Sequence, residues 1–187
     1  MAQNEAATHI CFLYETEEEH RAFVTEFLAD GIRRGEKMLY LLDFHTPAMI
    51  VDYLRGRVNL TLAIAKGQLR WMQAAEAYTP NGRFDPDRVL GMWQEVLEEA
   101  REEGYPAVRA TGEMSWARED VPGAERLVEY ESRANEIQPK LPVTALCQYP
   151  AGLFPPERLR AVCQAHPWIA QGGAVQKNSR YSLQEHN

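Results

Sequence analysis

The sequence has no long apolar run, few cysteines and no excess of positive charge. No stretch approaches the roughly 18 consecutive apolar residues of a membrane-spanning helix, so no membrane association is expected. The net charge is -7, with 20 lysines and arginines scattered among 27 acidic residues, which argues against a nucleic-acid surface. The three cysteines, Cys11, Cys147 and Cys163, are too widely spaced for a disulfide framework and indicate a reducing, cytoplasmic compartment.

A phosphate-binding loop is also missing where one would be expected. Residues 9–43 predict a buried strand, a tight connection, a helix and a second strand, which is how a P-loop ATPase core begins. The connection reads YETEEE, without glycine or lysine, and Thr16 and Glu19 predict a capping box. Glu17, Glu18 and Glu19 would satisfy the helix dipole and repel a triphosphate. We therefore expect the frame of a nucleotide-binding fold that does not bind ATP or GTP.

No catalytic motif is readable in the chain. Ser115 beside Glu113 lacks the glycine-flanked elbow of a hydrolase. A lone cysteine with a distant histidine is too common a combination to indicate a nucleophile and its base. The sequence therefore favours a binding or interaction protein over an enzyme.

Strand and helix patterns alternate along the chain. This alternation predicts βαβ units and a three-layer α/β domain with a mostly parallel sheet and helices on both faces. Its 187 residues suit a single domain, predicted at 8–182, with a disordered N-terminus at 1–7 and a C-terminal tail at 183–187. Strands are predicted at residues 9–13, 38–42, 68–73, 107–111 and 143–149, with a strand or hairpin at 168–176.

Aromatic and polar side chains follow the predicted strands at their carboxyl ends. In open parallel sheets ligands bind beyond these ends, so a small-molecule pocket is predicted there. Trp116 and Tyr149 are predicted to line it, with Glu113 as its polar contact. The side chains at these positions are Tyr14, Asp43, His45, Glu113, Met114, Trp116, Gln148 and Tyr149.

Two further features concern charge and metal ligands. Arg109 lies in a predicted central strand, where a buried charge needs a partner; a structural ion pair, with Glu131 for instance, or a ligand carboxylate would supply one. His9, Cys11, Cys147 and His166 form the one plausible metal set, since His9 and Cys11 share a strand face and both residue types bind zinc. Ordinary core packing of these four is the alternative interpretation.

Seven segments resemble, in the same order, the MEDS family, the methanogen/methylotroph sensory domain. They read HICFLY, FLADGIRRGEKMLYLLD, AYTPNGRFDPDRVLGMW, VRATGEMSWA, LVEYE, LCQY and AHP, and the match runs from about residue 8 to residue 181. Single segments are weakly specific, but seven in one order are specific. The resemblance implies a RecA-like core of the P-loop NTPase type without a functional Walker A motif, in agreement with the acidic connection YETEEE.

The resemblance also implies a prokaryotic signal-transduction sensor for a small organic ligand, with simple hydrocarbon derivatives as the proposed class. Arg109 joins the candidate contacts because of its buried charge. Residues that match the family's pattern, and that it implies as ligand contacts, are His9, Cys11, Tyr14, Glu113, Met114, Trp116, Tyr130, Glu131, Cys147, Tyr149 and His166.

The chain carries no fused DNA-binding or kinase domain, so a separate signalling or transcription-regulating protein is expected, unless the chain is a fragment. A homodimer is left open. The competing functions are a non-catalytic protein-interaction module and a metal-binding protein that uses the His/Cys set. The sensor of an organic ligand is expected to need no cofactor. The metal-binding protein would hold zinc or another transition metal.

Overall fold

The computed structural model of the chain describes residues 7–118, 120–137 and 140–182. Within them, the strands are β1 (Ala7–Tyr14), β2 (Lys37–Leu42), β3 (Leu69–Gln73), β4 (Val108–Glu113), β5 (Val143–Pro150), β6 (Trp168–Gln171) and β7 (Ala174–Lys177). The α-helices of this described part are α1 (Glu17–Arg33), α2 (Pro47–Tyr53), α3 (Leu60–Ala65), α4 (Ala74–Tyr78), α5 (Pro86–Glu102), α6 (Leu127–Ala134) and α7 (Pro156–Ala165). None of the described helices is long and apolar enough to cross a membrane.

The strands form one sheet in the order β3-β2-β4-β5-β1-β6-β7. All neighbours pair in parallel except β6 and β7, which form the antiparallel hairpin predicted near the end of the chain. Between the two strands of each parallel pair the chain passes through helices, which is the usual crossover between parallel strands. The predicted three-layer, mostly parallel α/β fold is therefore confirmed.

Alternation along the strands divides the core into two halves. In β1, Ile10 and Phe12 pack with residues of α1, α2 and α3, on what we call the α1 face. Cys11 and Leu13 point the opposite way, toward α4, α5, α6 and α7, on what we call the α6 face. Because successive side chains of a strand alternate between faces, neighbours in sequence lie in different halves of the core.

The connection between β1 and α1 consists of only two residues, Glu15 and Thr16. The Thr16 side chain accepts a hydrogen bond from the Glu19 N–H at 3.2 Å, and the Glu15 N–H donates to Glu19 Oε2 at 2.8 Å. The Thr16 half of the predicted capping box is thus present, while the Glu19 carboxylate returns to the Glu15 N–H instead of that of Thr16. The Glu19 N–H is taken, and a carboxylate lies where a phosphate would approach the helix start.

Three details differ from the predictions. The turn formers of EAYTPNGRFDP predict a loop over residues 76–86, but its first three residues belong to a short helix, α4. The sequence predicts one helix over residues 124–137, but this segment begins with a 3₁₀ turn after Gly123, whose φ of 89° is open to glycine, and only then continues as α6. The predicted disordered N-terminus is wrong at Ala7, which already belongs to β1; residues 1–6 and the predicted tail at 183–187 lie outside the described residues.

Arg109 is held by a structural ion pair, but not with Glu131. Its guanidinium donates to Glu36 Oε2 at 2.5 Å, to Asp30 Oδ2 at 2.9 Å and to the Phe27 carbonyl at 3.1 Å. Glu131 belongs to α6, which covers the opposite face of the sheet. The odd-numbered residues of β4 face α1, so the Arg109 side chain lies on the α1 face. There its charge is balanced by Glu36 and Asp30.

Candidate functional site

The sheet separates the predicted pocket residues into two groups. Tyr14 belongs to the apolar core of the α1 face, and Glu113 contacts residues that follow β2 on that same face. The other group lies in the core of the α6 face and comprises Cys11, Met114, Trp116, Tyr130, Cys147 and Tyr149. The structure therefore does not bring Glu113, Trp116 and Tyr149 into one pocket, because period-two alternation places them on different sides of the sheet.

On the α1 face, the Glu113 carboxylate anchors the turn that follows β2. Its Oε2 accepts hydrogen bonds from the backbone N–H groups of Asp43 at 2.9 Å, Phe44 at 2.6 Å and His45 at 3.0 Å. Its Oε1 lies 3.1 Å from His45 Nδ1. Both oxygens are thus occupied, and Glu113 is buried. This carboxylate has a structural task and offers no free oxygen to a ligand.

His45 completes this group. Its Nε2 lies 3.1 Å from Glu17 Oε2, so both ring nitrogens face carboxylates, and both must carry protons to donate. Burial opposes that charge, but the bonds to Glu113 and Glu17 outweigh it and raise the pKa of His45. Burial likewise opposes ionisation of Glu113, yet His45 and the backbone donors lower its pKa. Tyr53 OH donates to the remaining oxygen of Glu17.

His20 stacks on His45, with ring centroids 4.0 Å apart and planes 4° apart. Its Nε2 lies 2.6 Å from Gln148 Oε1, and the Gln148 amide nitrogen donates to Thr111 Oγ1. His20 is therefore the donor to Gln148 and stays neutral, because burial and the adjacent His45 charge lower its pKa to about 4. We call Glu17, His20, His45, Glu113 and Gln148 together the Glu113 cluster.

A second polar group lies on the α6 face and consists of His9, Glu131, Cys147 and His166, here called the Glu131 cluster. All four are buried, and one ligand atom from each lies within 4.8 Å of the others. Glu131 Oε2 is 3.2 Å from His9 Nε2, 3.4 Å from His166 Nε2 and 3.5 Å from Cys147 Sγ. His9 Nε2 and Cys147 Sγ are 3.3 Å apart.

Four elements converge to place these side chains. β1 and β5 are adjacent, and Cys147 pairs with Cys11, two residues beyond His9. Glu131 comes from α6, and His166 follows the last residue of α7. Cys11, which sequence spacing grouped with His9, instead lies 3.9 Å from Cys163 Sγ. The structure thus replaces Cys11 in the predicted His/Cys set by Glu131, because α6 lies over the strands at this point.

Neighbouring groups hold the cluster in position. Asn135 Nδ2 donates to the carbonyls of Glu131, Ser132 and Ala165, so its Oδ1 faces His9 Nδ1 as an acceptor at 3.0 Å. His166 Nδ1 lies 2.7 Å from the Val162 carbonyl oxygen. Tyr149 OH donates to Glu131 Oε1. Both imidazoles are therefore fixed with protons on Nδ1, and Glu131 presents only Oε2 to the cluster.

Charge and burial oppose each other in this group. Burial disfavours the Glu131 carboxylate, yet the two histidines more than offset it and hold its pKa well below the usual range. Burial, and then the neighbouring His9, lowers the pKa of His166. Burial and the Glu131 charge raise the pKa of the Cys147 thiol. The His166 Nε2 atom is buried without a hydrogen-bond partner.

A cavity of about 70 Å³ adjoins the Glu131 cluster. It lies between the sheet and helices α5 and α6. Its polar wall includes His9 and Cys147, while Tyr130 lines another side and accepts a hydrogen bond from Trp93 Nε1 at 2.9 Å. Apolar side chains form most of the lining, among them Val108, Ala110, Ala145, Leu97 and Ile137.

Sequence reasoning found part of this lining. His9, Tyr130 and Cys147 were among the predicted contacts, whereas the aromatic lining residues Tyr78 and Trp93 were not. Trp116 is not itself part of the lining; it stacks on Tyr78 with ring centroids 4.8 Å apart. The helical spacing of Val89, Leu90, Trp93, Val96, Leu97 and Ala100 predicts that Trp93 lies on the buried side of its helix, but not that a space remains in front of it.

The fold is RecA-like, as two similar solved structures show. A KaiC-like protein from the hyperthermophilic archaeon Pyrococcus horikoshii OT3 superposes with a TM-score of 0.58 at 10% identity, over 95% of this chain and 82% of that chain. The flagellar accessory protein FlaH from Methanocaldococcus jannaschii gives a TM-score of 0.54 at 13% identity, over 95% and 82%. No protein with a curated description is detectably similar in sequence.

The sequence itself places this RecA-like chain in a sensory class. The sequence model of MEDS, the methanogen/methylotroph, DcmR sensory domain, matches residues 8–167. The chain belongs to the MEDS family. The resemblance of the seven segments is thereby confirmed, and with it a role in sensory signalling.

Proposed function

We propose that the protein is a sensory domain that binds a small, largely apolar organic molecule in the cavity between the sheet and helices α5 and α6. The observation that carries this proposal is the cavity itself, which lies in the core of the α6 face of a MEDS domain. The pocket first expected at the carboxyl ends of the strands is filled by the Glu113 cluster, whose polar groups are largely occupied by one another.

The size of the cavity limits the ligand. One water molecule needs roughly 10–15 Å³ of such space, so about 70 Å³ admits a molecule of only a few non-hydrogen atoms. The mostly apolar walls favour carbon-bound groups, and the few polar atoms of His9, Cys147 and Tyr130 would orient a single polar substituent. These properties fit a simple hydrocarbon derivative.

The same features support a binding function rather than catalysis. The cavity holds no nucleophile activated by a base, since burial raises the pKa of Cys147. The capping box at Thr16 supports the expectation that ATP and GTP do not bind. A calorimetric titration with magnesium nucleotide tests that expectation, and micromolar binding would contradict it. We place the protein in the cytoplasm, where its free thiols would stay reduced, and assign output to a separate signalling protein.

A pair of alanine-to-leucine variants tests ligand binding. Ala110 lines the cavity, so Ala110→Leu should fill it. Ala22 lies in a separate groove of about 670 Å³ between α1 and the β6–β7 hairpin, so Ala22→Leu is the matched control on the opposite face. The probes are one- to three-carbon alcohols, halides, amines and thiols, detected by Trp93 fluorescence and by methyl NMR.

We expect at least one compound class to perturb the lining residues of the unmodified protein. Ala110→Leu should abolish that response while the protein stays folded, and Ala22→Leu should preserve it. If binding survives Ala110→Leu and is lost in Ala22→Leu, the ligand occupies the groove instead, and the cavity proposal is wrong.

A further inference from the structure

We propose that the Glu131 cluster binds one divalent transition-metal ion of the zinc type. The ligands would be His9 Nε2, His166 Nε2, Cys147 Sγ and Glu131 Oε2. This proposal goes beyond the sensing of an organic molecule and does not depend on it. It rests on the hydrogen-bond accounting, the spacing and the chemistry of the four side chains.

The first step concerns the protons on the two imidazoles. Because the Asn135 amide nitrogen is committed to three carbonyls, Asn135 Oδ1 accepts from His9 Nδ1. A carbonyl can only accept, so His166 Nδ1 donates to Val162. In the neutral form of each ring the lone pair is then on Nε2. The two Nε2 atoms lie 3.2 Å and 3.4 Å from Glu131 Oε2, which is also an acceptor.

The second step is that the cluster holds one hydrogen of its own for three acceptors. The Cys147 thiol can donate to His9 Nε2 or to Glu131 Oε2, at 3.3 Å and 3.5 Å, and the remaining acceptors then need either an extra proton or a cation. His166 Nε2 is completely buried, lies 3.4 Å from Glu131 Oε2 and makes no hydrogen bond. Buried polar atoms without partners are uncommon and each calls for an explanation. A cation at the centre would satisfy both nitrogens and the carboxylate at once.

The third step is the spacing of the ligand atoms. With bonds of about 2.0–2.1 Å to nitrogen and oxygen and about 2.3 Å to sulfur, tetrahedral ligands lie about 3.3 Å apart, or about 3.6 Å when one is sulfur. The measured separations are 3.2 Å and 3.4 Å for the two nitrogen–oxygen pairs. They are 3.3 Å for nitrogen–sulfur and 3.5 Å for sulfur–oxygen. Four of the six edges of a tetrahedron therefore already have suitable lengths.

The fourth step is the choice of metal. Two imidazoles, one thiolate and one carboxylate form a mixed set that suits zinc and other first-row transition metals, and does not suit magnesium or calcium, which prefer oxygen ligands. The hydrogen bonds from Nδ1 to Asn135 and Val162, and from Tyr149 to Glu131 Oε1, are the outer contacts that orient metal ligands in known sites.

Ligation also requires a change in protonation. The Cys147 thiol, whose pKa burial raises, would lose its proton to solvent as the metal–sulfur bond forms. Any proton held between a histidine and Glu131 would leave as well. Metal uptake should therefore release protons and strengthen with rising pH.

The Glu113 cluster provides an internal contrast. Glu17, His20 and His45 also approach one another within 4.8 Å. His45, however, uses both ring nitrogens as donors to carboxylates, so it has no free lone pair for a metal. Proximity of histidine and glutamate alone thus does not distinguish the two clusters; the position of the lone pairs does.

The test is a titration of the metal-free protein with Co²⁺ and Zn²⁺. Co²⁺ should bind with one equivalent and produce a thiolate-to-cobalt charge-transfer band with intense tetrahedral d–d absorption, which Zn²⁺ displaces. Cys147→Ser should abolish the charge-transfer band. The matched controls are Cys11→Ser and Cys163→Ser, which alter the neighbouring thiol pair and should retain both the band and the stoichiometry.

Two additional variants guard against a folding artefact. Asn135→Ala should weaken zinc binding by roughly 10- to 100-fold without removing a ligand, since outer contacts tune affinity to that extent. His20→Gln should leave zinc affinity unchanged within twofold. Circular dichroism and a thermal melt confirm folding of each variant. Absence of one-equivalent binding at micromolar metal, or a band that persists in Cys147→Ser and disappears in Cys11→Ser, would overturn the proposal.

Discussion

The two polar clusters lie on opposite faces of one sheet and use similar side chains in different ways. In the Glu113 cluster the carboxylate meets three backbone donors and a doubly protonated His45. In the Glu131 cluster the carboxylate oxygen meets two imidazole nitrogens whose protons are on the far side of each ring. In the first, the Glu113 oxygens and both His45 nitrogens are matched and only His20 Nδ1 is buried without a partner, whereas in the second the acceptors converge on one point.

This difference separates anchoring from binding. A carboxylate surrounded by donors stabilises the fold, and in this chain it ties the turn after β2 to the end of β4. A group of buried acceptors around one point is stable only with a cation or an extra proton. A glutamate-to-glutamine exchange keeps the shape of the side chain but replaces one acceptor oxygen by an NH₂ donor. Made at Glu113 and at Glu131, it therefore tests the difference between the two clusters.

The largest expected effect is that of Glu113→Gln. A glutamine amide would place its NH₂ group against backbone N–H groups or against His45, whichever way it turns. Breaking a buried charged pair of this kind costs about 3–5 kcal/mol, and we expect a loss of that size in the free energy of unfolding from urea denaturation. Glu18→Gln, on the exposed first turn of α1, is the control and should change it by less than about 1 kcal/mol.

The corresponding exchange in the other cluster should be milder. In metal-free protein, Glu131→Gln supplies an N–H donor for the unpartnered His166 Nε2, while its carbonyl still accepts from Tyr149. We expect a loss of about 1–2 kcal/mol in urea denaturation, clearly smaller than for Glu113→Gln. Equal or reversed losses in the two variants would contradict the distinction between the clusters.

A pH dependence follows from His20, whose folded-state pKa of about 4 lies below its ordinary value of 6.5. Between these values the unfolded state binds more protons, so stability must fall as pH falls from 6.5 toward 4. The full contribution is on the order of 3 kcal/mol at neutral pH. His45, with its raised pKa, is protonated in both states over most of this window and adds little, whereas His166, whose pKa burial also lowers, adds a loss of the same sign.

His20→Gln should flatten this part of the pH–stability curve when urea midpoints are compared at pH 6.5 and pH 4.5. Arg21→Gln, on the exposed side of α1, is the control and should keep the wild-type slope. A His20→Gln curve as steep as that of the wild type would show that His20 is not the responsible group.

The smallest expected effect concerns the two-residue connection that replaces a phosphate loop. Thr16→Ala removes the side-chain acceptor for the Glu19 N–H, and we expect a loss of about 1 kcal/mol. Thr16→Ser keeps the hydroxyl and should cost less than half as much. If alanine and serine are equally tolerated in thermal melts, the capping box does not contribute to stability.

The fold could be predicted from the sequence because its signals are local. Apolar strands, the Thr16–Glu19 capping box and the Pro86 helix start each depend on residues close together in the chain. The burial of Tyr130 and Tyr149 is also predictable locally, because each lies in an apolar stretch of its own helix or strand. Helix α4 was missed because five residues in a turn-rich stretch carry too little periodicity.

The site was predicted less completely because it depends on which helix covers which strand. Strand alternation predicts that His9 and Cys147 lie on the same face of the sheet. Glu131 reaches them only because helix α6 packs over β1 and β5 at this point. Glu131 was instead considered as a partner for Arg109, which points the other way toward Glu36. Glu113 and Trp116, three residues apart, were grouped in one pocket although the chain carries them to different faces.

The most direct test of the distinction between the clusters is the protonation state of each histidine, read by long-range ¹H–¹⁵N NMR of the metal-free protein before and after one equivalent of Zn²⁺. We predict that His45 carries protons on both nitrogens throughout. His9 and His166 should show an Nδ1–H and, with zinc, a shift of both Nε2 signals to metal-bound positions. Nε2 signals of His9 and His166 that do not move with zinc, or a His45 signal that does, would contradict the account.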